Sequence, residues 1–189
     1  MATKSGRVAE ASVESSSSAV EWGAIVGGAL AAVGVSIILF TLGPAIGLSA
    51  TPYSFSFSET PPTAFAIGAG IWMIVTQWLA SGLGGYLTGR MRTKWVGIRT
   101  DEVFFRDTAH GFLAWALATL LVAALVALSS AVGGAAAVTA GADSVSAEAA
   151  EQARQAAMSF GFFMSLSLLI GAFIGSVAGA IGGYHRDAD

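Results

Sequence analysis

The sequence predicts an all-α polytopic membrane protein built as a four-transmembrane-helix bundle, and three observations support this fold class. Of the 189 residues, 54% are hydrophobic and only 11% are charged, whereas soluble proteins have about 25% charged residues. Asp, Glu, Lys and Arg are absent from four tracts, which are 22–58, 60–89, 108–142 and 155–184. Each tract can hold the roughly 20 apolar residues that a bilayer-spanning helix needs. Four spans and their connections leave no room for a soluble catalytic domain of ordinary size.

The chain divides into a polar tail, a transmembrane domain and a second short tail. Residues 1–21 are polar and rich in serine, without any hydrophobic period, which predicts a disordered cytoplasmic tail. The transmembrane domain covers 22–184, and 185–189 form a short cytoplasmic tail. Within the domain, the predicted spans cover about 22–50, 64–88, 111–135 and 157–183.

Two connecting segments also have predicted structures. Residues 146–155 are rich in Ala, Glu and Gln, which favours a short helix in water. The segment 100–110 opens with a threonine that can cap a helix, followed by two acidic residues in the first turn. We expect this segment to form a helix at the membrane surface that leads into the third span.

The basic residues predict the orientation of the spans. Only Arg154 lies on one side of the predicted membrane, and the other eight lie on the opposite side: Lys4, Arg7, Arg90, Arg92, Lys94, Arg99, Arg106 and Arg186. Because Lys and Arg are concentrated in cytoplasmic segments of membrane proteins, both termini are predicted to be cytoplasmic.

The two halves of the chain resemble each other at the ends of their hairpins. Span 2 ends with Gly84-Gly85-Tyr86 before Arg90, and span 4 ends with Gly182-Gly183-Tyr184 before Arg186. Two repeated helical hairpins would be related by a pseudo-twofold axis along the membrane normal. The alternative is that glycine and tyrosine recur because both suit helix ends in membranes.

Glycines recur at every fourth position in the last predicted span. They are Gly171, Gly175, Gly179 and Gly183, and Gly23 and Gly27 form a shorter version in the first span. On a helix this spacing aligns the glycines as a groove, along which a second backbone can approach closely. We expect helix packing at these positions, either within the bundle or in an oligomer interface or pore wall.

Gln77 is the only large polar side chain inside the predicted spans, at about the middle of span 2. We interpret it as an interhelical hydrogen-bonding residue, with a pore-lining role as the alternative. No ionisable side chain lies near the predicted bilayer centre, where ion-coupled and proton-coupled carriers usually place one. The pattern therefore argues against a coupled transporter.

Charged and aromatic residues converge in the segment that precedes span 3. The candidate interaction surface consists of Glu102, Phe104, Phe105, Arg106, Asp107 and His110. Three interpretations are open: a surface helix that only orients span 3, a docking site for a partner, or a metal or acid–base site. The last would use Glu102, Asp107 and His110, with or without His185, but their spacing matches no established ligand pattern.

The composition excludes several classes of chemistry. The chain has no cysteine, which rules out disulfides, thiolate nucleophiles and Cys-ligated metal centres. Its net charge of -3 is small, and its basic residues follow the membrane topology, so nucleic acid is not an expected ligand. We predict no enzymatic activity, no cofactor and no metal site. The expected partners are the lipid bilayer and either further copies of this chain or another membrane protein.

Three segments resemble a known family: Glu21–Leu30 (EWGAIVGGAL), Gly84–Arg90 (GGYLTGR) and Thr100–Gly111 (TDEVFFRDTAHG). They are similar to an uncharacterised family of small bacterial inner-membrane proteins often labelled "PhnA-like". The resemblance covers most of residues 20–185. It implies a four-span fold in the bacterial inner membrane, and it implies no activity and no functional residue.

Two functions fit these patterns. The first is a non-enzymatic scaffold or accessory subunit that acts through glycine-mediated helix packing. The second is a channel or small uncoupled transporter, with a pathway between the repeats or between protomers. A continuous polar cavity lined by Gln77 would favour transport, and a glycine-packed bundle without such a cavity would favour the scaffold.

Overall fold

The computed structural model describes residues 19–45, 62–94, 99–139 and 147–188. These ranges contain four helices and no strand: α1 (Trp22–Ala45), α2 (Pro62–Met91), α3 (Thr100–Thr139) and α4 (Ala147–Ala188). The predicted all-α helical bundle is confirmed. Residues 1–18 of the predicted tail lie outside the described residues, as do 46–61, which include the end of the first predicted span.

Two helices extend well beyond the predicted spans. α3 begins at Thr100, so the surface segment and the third span form one continuous helix of 40 residues. α4 has 42 residues, and the segment predicted as a separate short helix is its beginning. Neither sequence contains a proline that would break the backbone hydrogen bonds, so nothing interrupts helix propagation.

The four helices alternate in direction. Trp72 of α2 donates a hydrogen bond from Nε1 to the carbonyl oxygen of Leu39 at 3.1 Å, near the end of α1. α2 and α4 run in the same direction and make the most extensive contact of the bundle. α1 and α4 share no contact in the described ranges, so α2 and α3 form the middle of the bundle. We call the end where α1 and α3 begin the charged end, and the other the opposite end.

The interior contains small residues, and the large apolar residues lie outside. The buried hydrophobic residues are Ala24, Ile25, Ala29, Ala32, Ala80, Ala114, Ala118 and Ala180. By contrast, Leu120, Phe162 and Leu169 are 68%, 67% and 71% exposed. Small residues let helix backbones approach closely, and large apolar side chains on the outside suit contact with lipid rather than water.

Three helices are long and apolar enough to cross a membrane, which indicates a membrane protein. The candidate segments are Trp22–Gly43, Thr100–Ala131 and Met158–Ala188. α2 is not among them when only described residues are considered. Its described part includes Gln77 and six glycines, which lower its mean hydropathy. The fourth span and the internal repeat therefore remain predictions.

Candidate functional site

A buried ion cluster joins three helices at the charged end. It consists of Asp107 of α3, Arg92 just beyond the end of α2, and Arg186 in the last turn of α4. Arg92 donates from Nε to Asp107 Oδ1 at 2.7 Å. Arg186 donates from Nη1 and Nη2 to the two carboxylate oxygens, each at 3.3 Å. Asp107 and Arg92 are only 2% and 1% exposed, so these charges depend on one another for stabilisation.

Further bonds link the ion cluster to its surroundings. Arg186 also donates from Nη1 to the carbonyl oxygen of Gly89 at 3.1 Å and pairs through Nε with Asp187 at 2.9 Å. Burial lowers the pKa of the Arg92 guanidinium below its ordinary value, and the nearby Asp107 carboxylate acts in the opposite direction. The bidentate contact of Arg186 with Asp107 fixes α4 against α3 at this height.

Glu21 attaches the beginning of α1 to the same end of the bundle. Its backbone N–H donates to Nε2 of His110 at 2.9 Å. Its carboxylate oxygen Oε2 accepts from the backbone N–H of Thr93 at 2.9 Å and from the Thr93 hydroxyl at 3.2 Å. Glu21, the last residue of the predicted disordered tail, is therefore held in place by specific contacts.

His110 uses both ring nitrogens for structural hydrogen bonds. Nδ1 lies 2.6 Å from the carbonyl oxygen of Arg106, so this nitrogen carries the donated proton. Nε2 accepts a hydrogen bond from the Glu21 N–H. These two partners together assign the neutral imidazole with its proton on Nδ1. Neither nitrogen has a lone pair left for a metal ion.

The residues of the third interpretation, a metal or acid–base site, are not brought together. Glu102 forms an ion pair with Arg106 at 2.7 Å on the surface, whereas Asp107 points into the ion cluster. His185 lies 3.3 Å from the hydroxyl of Tyr86 through Nδ1. Within the described ranges, no group of three or more His, Asp or Glu side chains is arranged to hold a metal ion.

The candidate interaction surface is divided by the helical period. Phe104 and Phe105 are 62% and 66% exposed, and the Glu102–Arg106 pair lies beside them. Asp107 and His110 are three residues apart on the inner face and are both 2% exposed. Of the candidate interaction surface, Glu102, Phe104, Phe105 and Arg106 are therefore accessible to a partner, whereas Asp107 and His110 are buried in the bundle.

Glycines place helix backbones in direct contact near the charged end. A Cβ atom on Gly85 would collide with the carbonyl oxygen of Gly175, and one on Gly89 would collide with that of Gly179. A Cβ on Gly28 of α1 would meet the carbonyl oxygen of Gly84. No residue larger than glycine fits these positions without moving a helix.

The glycines singled out in the sequence meet different neighbours. Gly171 packs against the side chains of Gln77 and Trp115, Gly175 and Gly179 against Gly111 of α3, and Gly183 against the Asp107 carboxylate. In α1, a Cβ on Gly27 would lie 2.9 Å from the terminal carbon of Met91. Gly23 is exposed, and a Cβ there would meet no atom within 4 Å.

A cavity of about 360 Å³ lies between the four helices. It is farther from the charged end than the glycine contacts are. Gln77 lines it, together with Ser36, Ser81, Trp115, Thr119 and Ser167. The rest of the wall consists of Ala, Val, Leu, Met and Phe side chains, so the cavity is mostly apolar. The volume is within the range of small-molecule binding sites.

Sequence analysis missed that Arg92 and Arg186 share Asp107, and that Trp115 and Gln77 line a common cavity. One signal was present: all three ion-cluster residues lie close to predicted span ends on the same side of the membrane. Opposite charges at one membrane depth are expected to pair when their helices pack.

Comparison with models of protein families, with curated proteins and with solved structures finds no match to this chain. The resemblance of three segments to a family of small inner-membrane proteins stays a prediction.

Proposed function

We propose that this chain is a non-enzymatic four-span scaffold or accessory subunit of the bacterial inner membrane. The main support is the construction of the charged end, where backbones touch at glycines and the ion cluster joins α2, α3 and α4. Such packing gives a rigid platform, and it fills the region through which a polar path would have to run. A rigid helix end is a suitable support for a surface that contacts another protein.

The surface that would meet a partner is formed by Glu102, Phe104, Phe105 and Arg106. Two adjacent phenylalanines are more than 60% exposed beside an ion pair, on a helix whose inner face is fixed by Asp107 and His110. Exposed aromatic residues beside charged ones are typical of protein contact sites. The expected partner is another membrane protein or a second copy of this chain.

The test compares two phenylalanine pairs in mild detergent. Replacing Phe104 and Phe105 by Ala should reduce the mass of the purified assembly and remove the associated subunit. The matched control replaces Phe160 and Phe162, which are 55% and 67% exposed on α4, and should leave the assembly intact. If both double variants and the wild-type chain have the same mass and the same associated proteins, the scaffold proposal is wrong.

The proposed orientation places the charged end and both termini in the cytoplasm. Its support is the asymmetry of the basic residues, of which eight of nine lie on one side of the predicted spans. Because the chain has no cysteine, single cysteines can report on each side. In spheroplasts, an impermeant thiol reagent should label cysteines introduced at Ser58 and Ser144 but not one at Ser16. The reverse labelling pattern would invert the orientation.

A channel or uncoupled transporter is the second candidate, because Gln77 lines the cavity. The cavity walls are mostly apolar, however, and the glycine contacts of Gly28, Gly85 and Gly111 lie between the cavity and the charged end. Purified protein in liposomes should therefore show no solute flux above that of empty liposomes. A flux that is lost in Gln77→Leu would favour this second function instead.

A further inference from the structure

The cavity has a polar region and an apolar region. Because the helices alternate in direction, Ser81 of α2 and Trp115 of α3 lie nearest the charged end. Met73, Val126 and Met164 lie at the other end of the cavity, where the wall is apolar. A molecule that matches this wall has a polar group at one end and an apolar body at the other.

The mouth of the cavity faces the apolar surface of the bundle. Phe40 of α1 and Val126 of α3 both line the cavity, and both are strongly exposed, at 46% and 59%. A side chain that lines a cavity and is also exposed marks the place where the cavity opens. A ligand would therefore enter between α1 and α3 from the surroundings of the apolar surface, which are lipid in a membrane.

The polar region offers a hydrogen-bond donor. The indole nitrogen of Trp115 is buried and has no hydrogen-bond partner in the described structure. It packs against Gly171 beside the Gln77 amide: a Cβ on Gly171 would lie 2.8 Å from Trp115 Nε1 and 2.5 Å from Gln77 Nε2. The indole N–H can only donate, so it is available to a hydrogen-bond acceptor that a ligand carries. The NH₂ group of Gln77, which also lines the cavity, lies beside the indole as a second donor.

We propose that the cavity binds a lipid-soluble carbonyl compound with an apolar tail, such as a quinone. Its carbonyl oxygen accepts a hydrogen bond from the Gln77 amide, and its tail lies along Val122 and Val126 toward the mouth. A phospholipid chain fits less well, because its ester groups stay at the membrane surface and only its methyl end reaches the polar region. This binding function is independent of the scaffold surface around Phe104.

The probes are two molecules with the same tail, a decyl-substituted benzoquinone and decylbenzene, added to the full chain in nanodiscs. We expect the quinone to bind with one molecule per chain. Gln77→Leu should weaken quinone binding about three- to tenfold, the value of one net hydrogen bond. Binding of decylbenzene, which has no acceptor, should be weaker than that of the quinone and unchanged by the substitution.

A second pair of variants tests whether the quinone binds in the cavity, and both substitutions are at exposed positions. Ala123 lines the cavity and Ala124 does not, yet both are exposed positions on α3. Ala123→Phe should block the cavity and abolish saturable binding of the quinone, whereas Ala124→Phe should leave it unchanged. The proposal is overturned if both variants bind equally, if Gln77→Leu keeps wild-type affinity for the quinone, or if native mass spectrometry detects only phospholipid in the cavity.

Discussion

Near the charged end, glycines bring the helix backbones into contact, whereas farther along the bundle the same four helices enclose a cavity. The backbone contacts of Gly85 with Gly175 and of Gly89 with Gly179 leave no space between α2 and α4. In the cavity, Ala80 and Ala118 contribute only methyl groups to the wall, and the space between the helices there is not filled. Small residues therefore produce either close packing or open space, depending on what lies opposite them.

The two regions also differ in how their polar groups are satisfied. Around the ion cluster, buried carboxylate, guanidinium and imidazole groups have partners on neighbouring elements. Near the cavity, the hydroxyl of Thr76 and the indole N–H of Trp115 are buried without partners in the described structure. We therefore expect substitutions at the charged end to be costly and those near the cavity to be tolerated.

The largest effect is expected from neutralising the ion cluster. Asp107→Asn leaves two buried guanidinium groups without their shared anion, which should lower the free energy of unfolding by about 3–5 kcal/mol. Unfolding of the purified protein in mixed micelles with increasing SDS measures this change. Asp101→Asn is the control, because its pair with Arg99 is exposed and such pairs contribute little. Equal free energies of unfolding for the two variants would show that the ion cluster does not stabilise the bundle.

An intermediate effect is expected where backbones touch. Gly85→Ala places a methyl group against the Gly175 backbone and should lower the free energy of unfolding by about 1–3 kcal/mol. Gly161→Ala, in a part of α4 where a Cβ meets nothing within 4 Å, should be neutral or slightly stabilising through helix propensity. The same SDS titration compares them. If Gly161→Ala were the more damaging change, the close packing would have to lie elsewhere.

The smallest effect is expected from removing one buried threonine hydroxyl in each of the two regions. Thr88 is buried and donates to the carbonyl oxygen of Gly84 at 2.8 Å, so Thr88→Val should cost about 1 kcal/mol. Thr76 is equally buried, but its hydroxyl has no partner, so Thr76→Val should be neutral or stabilising by a similar amount. Measured unfolding free energies that change in the same direction for both variants would contradict the difference in polar satisfaction.

Parts of the site could be foreseen because they depend on local spacing. The four-residue period of Gly171, Gly175, Gly179 and Gly183 implies one helix face whatever surrounds it. The sequence also identified Gln77 as the main polar group within the spans, and it lines the cavity. The pairing of Asp107 with Arg92 and Arg186 could not be foreseen, because these residues are 15 and 79 positions apart and meet only through packing.

The sequence by itself determined the all-α fold and the membrane character, because charge-free tracts and helical periods are properties of neighbouring residues. It could not tell which face of the segment 100–110 is buried, since either face of a short amphipathic helix can turn inward. The tertiary structure decided that Asp107 and His110 point inward and that Phe104 and Phe105 remain outside. It also decided where the helices touch and where they leave a cavity, because that depends on which residues of different helices lie at the same height.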